Sequence, residues 1–237
     1  MLPPIFSASS YPAGDFTFEH YRQPAFALLP QAFLMCSILI KLDGPSNVEI
    51  NCGEKLTRQQ LSRGDMIIIP DRFSIEGAHV EACEFLQLSF NPSVVERSAK
   101  ELGLDEQVEL APVLGVVDPL AEQTIYQLEQ ALTSAPVSND YVNVVVDNLA
   151  KHLVRYYTEG TWTRNKVGGF PQYLLDRILE YVENNRDRSL SPQEIAGAVG
   201  VDPDRLAKAF RAATGESIQT DRCEIPDQQS SLQGYGS

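Results

Sequence analysis

The stretch of this chain that leaves the least conformational freedom is LSPQEIAGAVGVDPDRLAKAFRAATG, residues 190–215. Its punctuation dictates two short helices joined by a tight turn. Ser191 is a good N-cap, Pro192 suits the first helical position because it has no amide proton to leave unpaired, and Glu194 completes the spacing of a capping box. Ile195, Ala196 and Val199 supply one apolar face, and Gly200 is placed to end the helix. Asp202 then caps a second helix that Pro203 begins. In that helix Leu206, Ala209, Phe210 and Ala213 recur at helical spacing, which leaves Arg205, Lys208 and Arg211 facing out, and Gly215 closes it.

Two capped helices about a tight turn are the sequence form of a helix-turn-helix, in which the second helix enters the major groove and the first braces it. A plain helical hairpin shares the pattern, so spacing alone leaves both readings open. The residues carry a closer likeness. Leu190, Ser191, Ile195, Ala196, Val199, Gly200, Val201, Phe210, Arg211 and Gly215 resemble the first helix-turn-helix of the AraC family of transcription regulators, over residues 170–219. The resemblance implies a DNA-binding regulator with a promoter operator as its partner. It places Asp204, Ala207 and Lys208 toward base edges, with Arg205 and Arg211 where a phosphate can be met.

The chain departs from that family in two respects. The second helix-turn-helix has no counterpart: after Ile218 the sequence reads QTDRCEIPDQQSSLQGYGS, polar and without apolar periodicity, which reads as a disordered tail and a truncated member. The charge is also unusual. Residues 170–222 hold seven Lys or Arg against nine Asp or Glu, where a DNA-binding domain normally carries a basic excess. Asp204 can only accept hydrogen bonds, which limits it to a cytosine amine and repels phosphate. DNA binding by this single element is therefore expected to be weak, salt-sensitive and dependent on dimerisation.

The rest of the chain suits a two-part, α+β regulator. It has 237 residues, 43% hydrophobic and 22% charged, and a net charge of −13 that disfavours indiscriminate binding to DNA or acidic membranes. The apolar runs SILIKL and MIIIP are too short to span a bilayer and no leader pattern precedes them, so a cytoplasmic protein without a membrane partner is expected. Cys36, Cys52, Cys83 and Cys223 show no CxxC spacing and read as reduced structural thiols. Residues 15–90 read as short strands: alternation at Phe16–Glu19, the runs Met35–Leu42 and EFLQLSF at 84–90, a hairpin about Cys52 and Gly53, and GDMIIIP at 64–70. Many short strands argue for a small barrel or jelly roll. Gly64, Asp65 and Pro70 resemble the cupin-like sensory domain of AraC-type regulators, which implies a small-molecule effector. Phe16, Phe18, Ile38, Ile40, Leu86 and Leu88 are the candidate lining, with plain core as the alternative.

An enzymatic cupin needs clustered imidazoles and a carboxylate to hold a metal. This chain has only His20, His79 and His152, and the position two after His79 is Glu81. No metal, cofactor or catalytic residue is expected, and a metal-dependent enzyme is the least favoured reading. Beyond the strands, Pro92–Leu102 reads as a helix. Ala121, Ile125, Leu128 and Leu132 form one stripe, and Val142, Val145, Val146, Leu149, Leu153 and Tyr156 a second, serving either a monomer core or a homodimer interface. The expected organisation is a cupin-like sensory domain at 1–91, a helical dimerisation segment at 92–157, a linker at 158–169 containing Trp162, the helix-turn-helix domain at 170–219, and a tail at 220–237. A module that has lost DNA recognition and sequesters effector or partner is the alternative function.

Overall fold

The computed structural model describes residues 7–13, 15–52, 55–104, 108–134, 138–159, 161 and 170–214. Most of the expected linker, Trp162 included, the tail and Cys223 lie outside them. The described chain is a mixed sheet-and-helix fold. Its strands are β1 (Ser7–Ala13), β2 (Phe16–Gln23), β3 (Phe26–Leu28), β4 (Gln31–Ala32), β5 (Cys36–Lys41), β6 (Ser46–Cys52), β7 (Lys55–Leu61), β8 (Met66–Ile69), β9 (Ser74–Ile75), β10 (Gly77–Val80), β11 (Cys83–Phe90) and β12 (Val113–Val116). Its helices are α1 (Pro92–Glu101), α2 (Pro119–Ser134), α3 (Asn139–Tyr156), α4 (Gln172–Asn184), α5 (Pro192–Val199) and α6 (Pro203–Thr214).

The strands pair as a six-stranded sheet, β1-β2-β11-β5-β8-β12, a four-stranded sheet, β3-β10-β6-β7, and the short pair β4-β9. Every pairing is antiparallel. Among the described residues the ladders do not close into a barrel; the two larger sheets face each other, with a shared apolar layer between them. Antiparallel strands put alternate side chains on opposite faces, and the large sheet buries both of its faces. Registers align Phe18, Leu88, Ile38, Ile68 and Val113 as one row across five strands. That row packs against Val94 and Val95 of α1, Ile125 and Leu128 of α2, and Val142, Val146 and Leu149 of α3 in one apolar core. The opposite parity, Leu39, Ile67 and Phe85, meets Val48, Leu61 and Val80 of the smaller sheet. Between Leu114 and Val116 the register slips by one residue. Gly115 takes up that slip at φ +75, and a Cβ there would meet Gln59 Nε2 at 2.6 Å.

The two stripes on α2 and α3 are thus used inside the monomer, because the large sheet offers them an apolar face of matching size. The large apolar side chains that α3 leaves exposed are Tyr141 and Val144. The helices α4–α6 form a separate, smaller core of Phe170, Leu174, Ile178, Ile195, Ala196, Val199 and Leu206. One residue from the body of the molecule, Val117 between β12 and α2, belongs to that core.

Candidate functional site

The local chemistry of α5 and α6 follows the sequence closely. The Ser191 hydroxyl accepts from the Glu194 amide at 3.2 Å, and the Glu194 carboxylate accepts from the Ser191 amide at 2.8 Å. Those hydrogen bonds from Ser191 and the nearby Arg188 guanidinium, 2.6 Å from Glu194, hold the Glu194 carboxyl down at about 2. Gly200 ends α5 in the left-handed region at φ 76, which favours glycine. The Asp202 carboxylate then accepts from the amides of Asp204 and Arg205 at 3.0 and 3.2 Å, capping α6.

The five residues expected at DNA do not share one fate. Asp204, Ala207 and Arg211 are exposed on α6. The side chain of Lys208 lies outside the described residues. Arg205 is covered instead, with its side chain only 16% exposed. Its Nη2 donates to Asp65 Oδ1 at 2.8 Å, and its Nη1 lies 3.5 Å from Glu122 Oε2. The expectation of an outward-facing Arg205 is corrected by this contact, since two carboxylates of the body attract a guanidinium more strongly than water compensates in a half-dry crevice.

The receiving surface is built from the turn before β8 and the first turn of α2. Gly64, at φ +78, donates its amide to the Lys41 carbonyl at 2.7 Å, and the Asp65 Oδ2 accepts from the Ser62 amide at 2.7 Å. These bonds fix the turn and aim the second oxygen of Asp65 at Arg205. A Cβ on residue 64 would lie 2.2 Å from Arg205 Nη1 and 2.7 Å from Glu122 Oε1, so only glycine admits the guanidinium. Burial pushes the Glu122 carboxyl up, against the lowering effect of the Arg205 charge. One donor is left over: Arg205 Nε is buried without a hydrogen-bond partner among the described residues.

Beside this contact lies a second polar cluster that sequence reasoning missed. Asp118 is fully buried at the start of α2. Its Oδ1 accepts from the Ala121 amide at 3.0 Å and the Tyr173 hydroxyl at 2.7 Å, while its Oδ2 accepts from the Tyr157 hydroxyl at 2.6 Å and sits 2.7 Å from His152 Nε2. Burial opposes the charged form of Asp118, but His152, the Ala121 amide and the Tyr157 hydroxyl outweigh it and hold the carboxyl below its ordinary range. The His152 ring also lies tilted against Tyr156 and edge-on to Tyr173, with centroids 5.0 and 5.2 Å away. Because Tyr173 is on α4, Asp118 ties the C-terminal helices to the body. The signal available in sequence was an Asp preceding Pro119 at a helix start, which reports the cap and not the partners on α3 and α4.

The six candidate effector residues are placed away from the space between the sheets. Phe16, Phe18, Ile38, Ile40, Leu86 and Leu88 are all buried on the face covered by α1–α3. The inter-sheet space is lined by the other parity, with the buried Lys41 paired to Asp43 and lying over the Phe85 ring. His79 is exposed, and Glu81 is engaged by the Asn47 amide at 2.7 Å, which with the Asn47 side chain holds its carboxyl low. Among the described residues no three His, Cys, Asp or Glu are grouped to hold a metal ion. Burial pushes the Cys36 thiol up to about 12 and the Cys83 thiol up to about 11, so both stay protonated and unreactive. No helix of the described residues is long and apolar enough to cross a membrane.

No family model matches the chain, and no curated protein matches it by sequence. Among solved structures it is similar to the AraC-like transcriptional activator CuxR, with 13% identity and a TM-score of 0.47 over 86% of this chain and 73% of that one. A cupin domain from Bordetella pertussis Tohama I is similar at 15% identity and a TM-score of 0.30, over 38% of this chain and 98% of that one. An oxalate decarboxylase is similar at 13% identity and a TM-score of 0.27, over 39% of this chain and 30% of that one.

Proposed function

We propose that this chain is a DNA-binding transcription regulator of the AraC type, in which α5 and α6 act as a helix-turn-helix and the double-sheet body as a cupin-like sensory domain. The observation that carries this reading is the pair of capped helices about Gly200, with Asp204, Ala207 and Arg211 exposed on α6. Residues three or four apart share a helix face, so these three form one surface that a major groove can accept. A single such element contacts few base pairs, and useful affinity requires two copies on adjacent half-sites. The homodimer that this requires would use the exposed face of α3 bearing Tyr141 and Val144, since the buried stripes of α2 and α3 are occupied within the monomer. An effector would be met between the sheets, by Leu39, Phe85 and their neighbours, and would act by favouring one of two arrangements of body and C-terminal helices.

The test is retention of promoter-region DNA fragments by the purified chain in gel-shift titrations at low and near-physiological salt. Retention of a subset of fragments that survives the higher salt supports the reading. Loss of all retention, or loss that treats every fragment alike, moves the assignment to a module that sequesters effector or partner without reading DNA. Val144→Glu should lower retention and shift the sedimentation of a dimer toward the monomer while leaving the circular dichroism spectrum intact.

A further inference from the structure

We infer that Asp65 and Glu122 form an autoinhibitory clamp that competes with DNA for Arg205. The inference rests on the DNA-binding reading above and adds a regulatory state to it. Three observations carry it. The first is the ion contact itself: a guanidinium on the N-terminal turn of α6 is held at 2.8 and 3.5 Å by carboxylates from the turn before β8 and from α2. Paired anionic oxygens offer a guanidinium what a phosphate would offer, so the same group cannot serve both. The second is shape. Gly64 leaves room for Arg205 Nη1, which a Cβ at that position would approach to 2.2 Å.

The third observation is that the docked state is incompletely satisfied. Arg205 Nε has no partner in the clamp, and Glu122 bears a carboxyl whose burial disfavours its charge. Both features weaken the contact, so its attraction is of a size that the phosphates of DNA can match. In the docked arrangement Arg205, on the N-terminal turn that goes deepest into the groove, is held by the body while Asp204, Ala207 and Arg211 stay exposed. Undocking would add Arg205 to that exposed face and let the helix leave the body, and DNA would draw the protein toward that state by binding it preferentially.

The experiment measures binding of a random-sequence duplex of about 30 base pairs, long enough for one major-groove dimer site, by fluorescence anisotropy across a salt series, with the full chain. Asp65→Asn with Glu122→Gln should tighten binding about tenfold, the change expected when a docked population of about nine in ten is released. The slope of log affinity against log salt should also steepen, because wild-type binding must first break an ion contact that salt itself weakens, and that partial compensation is absent from the variant. Adding Arg205→Gln should cancel both changes. Glu96→Gln with Glu180→Gln, two exposed carboxylates away from the clamp, should leave the slope unchanged. Gly64→Ala supplies a variant that alters no charge: its Cβ would displace the guanidinium, and it should raise affinity in the same direction.

If the wild-type chain binds and neither the carboxylate variant nor Gly64→Ala binds better, the clamp is refuted and the DNA-binding reading stands. An equal tightening from the Glu96 and Glu180 pair also refutes it, since net charge then explains the result. If neither wild type nor any variant binds duplex DNA at the lowest salt, the DNA-binding reading fails and the clamp fails with it. Should the double carboxylate variant fail to fold, Gly64→Ala decides the matter alone.

Discussion

The interface between the large sheet and α1–α3 and the seam between the body and α4–α6 are made of different materials. The first is a continuous apolar layer in which Phe18, Leu88 and Ile38 meet Ile125 and Val146, with no charge in the row. The second is narrow: Val117 enters the small core, and beside it stand the Asp118 cluster and the Arg205 clamp. Apolar burial is non-directional and tolerates no partial separation without exposing surface to water. Hydrogen bonds and ion pairs can be exchanged for water or for another anion at little net change. The contrast therefore separates a permanent joint from one that can open.

The comparison is broken most forcefully at the permanent joint. Phe18→Ala, at a position with no exposure at the β2 end of the five-strand row, should cost about 3–5 kcal/mol through lost burial and a residual cavity. Urea unfolding should show the whole main transition moving. A shift below about 1 kcal/mol would mean that the row collapses around the gap, and the first interface would be softer than its composition says.

The seam should respond more modestly and more locally. Asp118→Asn keeps the volume but replaces one of the two accepting oxygens with an amide nitrogen, whose protons face either Tyr157 and His152 or Tyr173 and the Ala121 amide, and should cost about 1–3 kcal/mol. Limited proteolysis should locate the loss: cleavage within α4–α6 should rise while the sheets stay protected. Uniform sensitivity would erase the distinction between the two interfaces. The same carboxylate predicts a pH dependence. Its folded form titrates below the ordinary value of 3.8, so its contribution is present above that value and is lost as pH falls through the lower, folded one. The near-ultraviolet circular dichroism of the tyrosines around His152 should follow this acid loss in the wild type, and Asp118→Asn should abolish that component.

The sequence announced the permanent parts unevenly. The caps at Ser191, Gly200 and Asp202 were legible because a cap is a local agreement among three or four residues. The strands about Ile38, Ile68 and Leu88 were legible too, but which way they face was not. β5 is buried along all six residues, so the alternation that normally marks the inner face is absent, and the effector lining was sought on the helix-covered side. β12 carries a glycine and a register slip within four residues, too little periodicity to detect. The seam was the least legible of all. Arg205 and Asp65 stand 140 residues apart, and the side-chain partners of Asp118 lie 34 to 55 residues beyond it, so nothing at either position signals the other. Asp65 was readable as a turn residue and Arg205 as a surface cation, and both descriptions omit the contact that joins them.

The smallest expected effect sharpens the comparison by leaving both interfaces intact. Ser191→Ala removes the hydroxyl that caps α5 and should lower stability by about 1 kcal/mol. The Ser191 amide remains and so does Arg188, so the Glu194 carboxyl should rise only part of the way from about 2, which a carbon-detected titration of that side chain would read. Duplex DNA binding and its salt slope should not change, because neither Arg205 nor Asp118 touches this cap. If Ser191→Ala instead raised DNA affinity as strongly as Asp65→Asn with Glu122→Gln, loosening α5 would be enough to free α6. The holding force would then reside in the packing of α5 rather than in the two carboxylates, and the seam would owe its closure to the same apolar contacts as the sheet.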